Sequence, residues 1–222
     1  MIERLLPSIV ATFETREDIL DIELFPEEKR SMGRAVDKRR REFVTGRACA
    51  RRALAQLGVG PVAVPSGARG EPLWPAGVVG SITHCQGYRA CAVARMEEVA
   101  SLGIDAEVNA PLPEGVLEQV TFGPERQLAS QTGKLASQTG GVFMDRLLFT
   151  AKEAVYKAWF PLTGRWLGFA DADVTISAAD GTFTARLLAD LPAEAARQLA
   201  GGFSGRWLTR RNLILAAIAV PA

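Results

Sequence analysis

With 222 residues, the chain is long for one ordinary domain and short for two independent ones. Its 48% hydrophobic and 23% charged residues exclude wholesale disorder, and a net charge of +1 excludes a global pull toward nucleic acid or membrane, so any basic patch must be local. Cys49, Cys85 and Cys91 are odd in number with no CxxC spacing, and no apolar run approaches the ~18 residues of a membrane span; a cytoplasmic protein with reduced thiols is expected.

Residues 8–15 read as a short strand, followed by an acidic segment through Glu28. The spacing then predicts a helix over 37–57, stopped by Gly58, with Phe43, Ala50, Leu54 and Leu57 in a 3-4 rhythm. Arg39 and Arg47 intrude on that stripe, each about 40° from Phe43 on a helical wheel. An arginine on a buried side needs a partner, because an unpaired buried charge costs several kcal/mol. Asp37 and Glu42 are candidate carboxylates, and guanidiniums placed in this way suit a phosphate equally well. Residues 59–75 form a Gly/Pro-rich loop, in which Gly67 and Gly70 would let backbone approach a ligand. Strands are predicted over 78–83 and 90–95, with His84, the single histidine, in the turn between them. Only Cys85 is adjacent to that histidine, which excludes a conventional zinc site.

Residues 99–108 read as a buried strand ending in acids. Asp105 and Glu107 are two apart, so in an extended chain both carboxylates project from one face. At ~4 Å such charges repel by about 1 to 4 kcal/mol. A hard cation with oxygen ligands relieves that repulsion, although an isolated D-x-E is also common on exposed strands. The six-residue word LASQTG occurs twice, at 128–133 and 135–140, and residues 128–141 are expected to form a surface loop without chemistry. Residues 143–160 then read as one amphipathic helix at ~3.6 residues per turn. Met144, Leu147, Leu148, Ala151, Val155, Ala158 and Trp159 fall on one side; Arg146, Phe149, Lys152, Glu153, Tyr156 and Lys157 fall on the other. That second side is either a solvated back carrying a Glu153–Lys157 i,i+4 pair or, given its aromatics, the wall of a pocket. Strands are predicted at 173–177, 182–188, 205–209 and 213–220, with a short helix over 191–199.

Three ordered motifs, GSITHC at 80–85, GIDAE at 103–107 and FTAKEAVYKAWF at 149–160, resemble those of the surfactin-type (EntD-like) phosphopantetheinyl transferases. KRRREFVTGRACAR at 38–51, GEPLWP at 70–75 and RWLGF at 165–169 extend the resemblance over about residues 36–170. It implies an α+β fold of two similar α/β halves related by a pseudo-two-fold, 1–103 and 104–222, with the active site between them. It implies transfer of phosphopantetheine from coenzyme A to a serine of an acyl or peptidyl carrier protein, releasing 3′,5′-ADP, by a monomer that uses magnesium. By the same resemblance Arg39, Arg47 and His84 would hold the 3′-phosphate and adenine end. Ser66, Gly67, Ala68, Arg69 and Thr83 would line the nucleotide. Asp105 and Glu107, with the Ala106 carbonyl nearby, would ligate magnesium on the pyrophosphate. Glu153 would complete the metal site and act as general base, Lys157 and Lys152 would neutralise phosphate charge, and Trp166 and Tyr156 would border the pantetheine channel. Two further readings compete: a magnesium-dependent hydrolase of coenzyme A or another nucleotide pyrophosphate, and a non-catalytic phosphate-binding module using the basic helix to grip nucleic acid. The near-neutral charge and the acids at 105, 107 and 153 argue against the latter.

Overall fold

The computed structural model describes residues 1–33, 35–126, 141–193 and 195–222. Strand β1 (Ala11–Thr15) is followed by helices α1 (Pro26–Met32) and α2 (Asp37–Gln56), then by the hairpin β2 (Val78–Cys85) and β3 (Tyr88–Arg95). Strand β4 (Val99–Val108) leads through the short α3 (Leu117–Val120) to the long α4 (Met144–Thr163). Strands β5 (Ala172–Ser177), β6 (Thr182–Leu187), β7 (Phe203–Arg210) and β8 (Leu213–Pro221) follow, with α5 (Ala196–Leu199) before β7. Among the described residues no helix is long and apolar enough to cross a membrane.

Among the described residues two antiparallel sheets result, ordered β1-β3-β2 and β4-β8-β7-β6-β5. The orders β1-β3-β2 and β4-β8-β7 repeat one plan: a strand, a long helix, and a hairpin whose second strand returns beside the first. The expected pair of similar α/β halves is therefore visible in the topology, with β5 and β6 added to the second. Helix α2 packs Cys49, Ala50, Ala53 and Leu54 on Val78, Cys91 and Val93 of the first sheet. Helix α4 packs Leu147, Leu148, Ala151, Val155, Ala158 and Trp159 on the second, against Val174, Phe183 and Ile214. Each such Leu, Ile or Val removed from water contributes about 1.5–3 kcal/mol. A left-handed Gly164 at φ +62° ends α4.

Strand β4 joins the halves. One edge pairs with β8 from Leu102↔Ala219 to Val108↔Leu213. Toward the other half, side chains of β2 supply the partners: Ser81 Oγ accepts from Ile104 N at 3.1 Å and Thr83 Oγ1 from Ala106 N at 3.0 Å. Apolar residues of both sheets, among them Val79, Ala90, Ala92, Leu102, Ile104 and Leu215, fill the space between.

Several local expectations need correction. His84 lies in β2, which continues to Cys85, and the turn is Gln86–Gly87, where the left-handed φ of +71° suits glycine. The segment before residue 37 carries α1, whose Glu28 accepts from the Phe25 N–H at 2.9 Å and so caps it. The helix expected over 191–199 is helical only at Ala196–Leu199. The strand expected from residue 8 begins at Ala11. The duplicated LASQTG, residues 128–133 and 135–140, lies outside the described residues.

Candidate active site

A cleft of about 900 Å³ opens between the halves. Its first wall comes from α2 (Arg39, Glu42, Phe43, Arg47), the 69–74 loop and β2; its second from Asp105 and Glu107 on β4 and Phe149, Glu153, Tyr156, Lys157 and Phe160 on α4. The α4 residues share one half-buried stripe, the pocket-wall alternative for that helix face. Arg146, seven residues before Glu153 and eleven before Lys157, belongs to the same stripe.

The first wall is cationic. Arg39 Nη1 donates to His84 Nε2 at 2.9 Å, which leaves the imidazole proton on Nδ1, 3.7 Å from Glu42 Oε2. Burial pulls the His84 pKa down from its ordinary value, Glu42 opposes that shift, and the nearby Arg39 adds to it. The ring is thus neutral at pH 7 and accepts from Arg39 without repelling it. Arg47 is buried, with Nε donating to Val64 O at 2.6 Å, Nη2 donating to Ser66 Oγ at 3.0 Å, and its guanidinium carbon 4.1 Å from the Phe43 ring centroid. Desolvation lowers its pKa to about 10, with Glu28 partly offsetting the effect, so it stays charged near neutrality. Its bonded partners are a carbonyl and a hydroxyl, and both leave its positive charge uncancelled.

The second wall is acidic but counter-charged. Asp105 Oδ1 accepts from Thr83 Oγ1 at 3.1 Å and from Lys157 Nζ at 2.7 Å; Lys157 also donates to Ile104 O at 3.1 Å. The ammonium of Lys157 therefore reaches β4, where an i,i+4 pair with Glu153 was one expectation. Arg146 Nη1 lies 3.3 Å from Glu107 Oε2, while its Nε and Nη2 donate to Ala110 O and Pro111 O. Burial and then the charge of Asp105 push Glu107 up to about 7, against the pull of Arg146. Burial and Asp105 also raise Glu153, against the pull of Lys157. These carboxylates hold protons more tightly than free side chains because each is buried near another.

A cation would relieve that crowding. Asp105 Oδ2 is buried without a hydrogen-bond partner, the kind of orphaned acceptor a hard cation satisfies. In the arrangement seen, however, no group of three or more His, Cys, Asp or Glu side chains among the described residues is close enough to hold a metal. Arg146 and Lys157 occupy carboxylate oxygens that a metal would need. The carboxylates are hard oxygen donors of the kind magnesium takes, and among them Asp105 Oδ2 is the buried oxygen left without a protein partner.

Not every predicted site residue reaches the cleft. Lys152 is buried on the other side of α4, donating to Glu125 Oε2 at 2.7 Å and to Phe169 O at 2.6 Å. Glu125 Oε1 in turn accepts from Val174 N at 2.7 Å, so this pair holds α4 to the second sheet. Of the loop, Arg69 lines the cleft, its guanidinium carbon 5.6 Å from the Phe160 ring centroid, whereas Ser66 serves Arg47, Gly67 lies against Glu71, and Ala68 is exposed. Thr83 is buried with its hydroxyl on Asp105 and Ala106 N, and Ala106 is buried in β4. Trp166 is 65% exposed and packs on Tyr156 with ring centroids 5.0 Å apart. Arg146 as the partner of Glu107 was missed, though its i+7 and i+11 spacing to Glu153 and Lys157 was a readable signal.

Comparison with known proteins points to one family over both halves. Residues 27–94 match the model of the 4′-phosphopantetheinyl transferase N-terminal domain, and residues 101–212 that of the 4′-phosphopantetheinyl transferase superfamily. The chain is 51% identical to 4′-phosphopantetheinyl transferase Svp of Streptomyces mobaraensis, over 100% of this chain and 90% of that protein. It is 47% identical to 4′-phosphopantetheinyl transferase Npt of Nocardia iowensis, over 99% of each. Enterobactin synthase component D of Salmonella typhi is 32% identical over 85% of this chain and 74% of its own length.

Proposed function

We propose how the residues of the cleft divide the work of one reaction, on the premise that the chain belongs to the 4′-phosphopantetheinyl transferase superfamily. The protein transfers the phosphopantetheine arm of coenzyme A to a serine of a carrier protein. The serine oxygen forms a bond to the phosphorus nearest pantetheine, the pyrophosphate P–O bond breaks, and 3′,5′-ADP leaves. The observation that carries the assignment is that one cleft has guanidiniums along one wall and carboxylates with a lysine along the other. A substrate with a phosphate monoester at one end and a pyrophosphate further along matches that polarity.

Arg39, Arg47 and neutral His84 receive the 3′-phosphate, where charged donors form its strongest hydrogen bonds. Arg69 and the loop around it lie along the nucleotide. Glu153 takes the serine proton; a hydroxyl is a poor nucleophile at neutral pH, and burial has made this carboxylate more basic. Lys157 supplies positive charge to the oxygen that the breaking bond leaves behind. Asp105, Glu107 and Glu153 would hold magnesium, which when bound neutralises pyrophosphate charge. Tyr156 and Trp166 border the pantetheine arm. On this reading the first half, expected over 1–103, carries the nucleotide and the second, expected over 104–222, the metal and the catalytic helix, with the boundary falling inside β4. Because both walls come from one chain, a monomer suffices, and the reaction is placed in the cytoplasm with its coenzyme A.

The deciding experiment is intact mass of purified apo carrier proteins after incubation with this chain, coenzyme A and magnesium. A phosphopantetheine adduct on the carrier serine is expected. Release of phosphopantetheine with every carrier left unmodified would point to a hydrolase. For the 3′-phosphate, Arg47→Ala is expected to weaken coenzyme A at least about tenfold more than dephospho-coenzyme A, the scale of a lost charge-assisted contact. Equal losses for both ligands, measured by calorimetry, would remove the assignment.

A further inference from the structure

Glu28 lies in neither wall of the cleft, yet it is completely buried. Its Oε1 accepts from Val64 N at 3.0 Å; its Oε2 accepts from Phe25 N at 2.9 Å and pairs with Arg51 Nη2. Nearly one turn further along α1, Ser31 Oγ accepts from Ser66 N at 3.0 Å and donates to Glu27 O at 3.0 Å. Glu28 and Ser31 are three apart and share a helix face, while Val64 and Ser66 are alternate residues of the segment that crosses it. The same two residues of that segment then hold Arg47, through Val64 O and Ser66 Oγ. Helix α1 grips the segment, and the segment grips the guanidinium.

A buried carboxylate near a buried arginine would ordinarily form a direct ion pair, since each charge needs compensation. Here the hydrogen-bonded ion pair of Glu28 is with Arg51. What Arg47 receives are two neutral acceptors, which fix the plane and direction of its fork without neutralising it. The Phe43 ring covers one face of the fork. Such a charge is oriented yet available to an anion.

We propose that Glu28 and Ser31 are positioning residues that, through the Val64–Ser66 segment, aim Arg47 at the phosphate monoester of coenzyme A. The proposal rests on the reading of Arg47 as a 3′-phosphate ligand. Dissociation constants for coenzyme A and dephospho-coenzyme A are to be measured by calorimetry on Ser31→Ala, Ser31→Thr, Glu28→Gln and Arg47→Ala. Ser31→Ala and Glu28→Gln are expected to weaken coenzyme A about tenfold while dephospho-coenzyme A stays within about twofold. Ser31→Thr, which keeps the hydroxyl, is expected to restore the wild-type ratio. Should Glu28→Gln fail to fold, the exposed Ser31 decides alone. A wild-type ratio in Ser31→Ala, or equal losses of both ligands, overturns the positioning role if Arg47→Ala is itself selective. If Arg47→Ala is not selective, the 3′-phosphate reading falls with it.

Discussion

Glu153→Gln is expected to lower turnover on the order of 10² to 10⁴-fold, the range for a lost general base, while leaving the melting temperature near that of the parent. Glutamine keeps the length and almost the volume of the side chain, and Glu153 lies on the half-buried stripe of a 20-residue helix whose opposite face does the packing. What changes is proton affinity. The parent carboxyl is raised by burial and by Asp105, and a glutamine cannot accept the serine proton. The substitution also removes one of the three carboxyl groups of the second wall, so a purely metal-holding role has its own signature. In that case activity would return at high magnesium; a lost base would leave turnover depressed at any magnesium concentration. Parent-like turnover of Glu153→Gln with magnesium present would exclude the carboxylate from the chemistry.

The parts of the site that sequence reasoning reached are those fixed by short-range periodicity. Alternation along β4 places Asp105 and Glu107 together, and the 3.6-residue repeat of α4 gathers Glu153, Tyr156 and Lys157 on one stripe. Lys152 shows where that logic stops. On a helical wheel it lies at the edge of the polar face, and its side was decided by Glu125, 27 residues away in sequence and outside the helix's own repeat. Arg47 shows the same limit from the other direction. Its intrusion into an apolar stripe correctly signals burial, but its neutral partners lie 17 and 19 residues further on, in a loop with no period. Helix α1 did carry local signals, Pro26 at its first turn followed by Glu27 and Glu28. Its seven residues are too few to show an apolar repeat. The β2–β3 turn was misplaced because His84 and Cys85 do not alternate visibly with their neighbours.

Gly103→Ala is expected to impair folding and catalysis together, because of where α4 rests. A Cβ built on Gly103 would lie 2.0 Å from Ala154 O and 2.8 Å from Ala158 N, both backbone atoms of the helix. No rotamer change relieves a clash with backbone, so helix and strand must separate. Overpacking of this kind costs about 1–3 kcal/mol and occasionally more, which for a domain of this size lowers the melting temperature by several degrees, on the order of 2–4 °C per kcal/mol. The strand that is pushed carries Asp105 two residues on, and the helix carries Glu153 and Lys157 immediately before the two contacting residues, Ala154 and Ala158. A shift of ~1 Å between them can cost on the order of 10² in turnover even in the fraction that remains folded. Gly46→Ala on α2 is the control: its Cβ would meet only Ile82 Cγ2, at 3.4 Å. There the helix-propensity gain of about 1 kcal/mol offsets any crowding, and stability is expected to change by no more than about that amount. Thermal melts of both variants, and turnover of Gly103→Ala measured below its transition, test the contrast; Gly46 lines the cleft and so serves as a control for stability alone. A Gly103→Ala protein that melts and turns over like the parent would mean that the close seating of α4 on β4 does not set the geometry of the cleft.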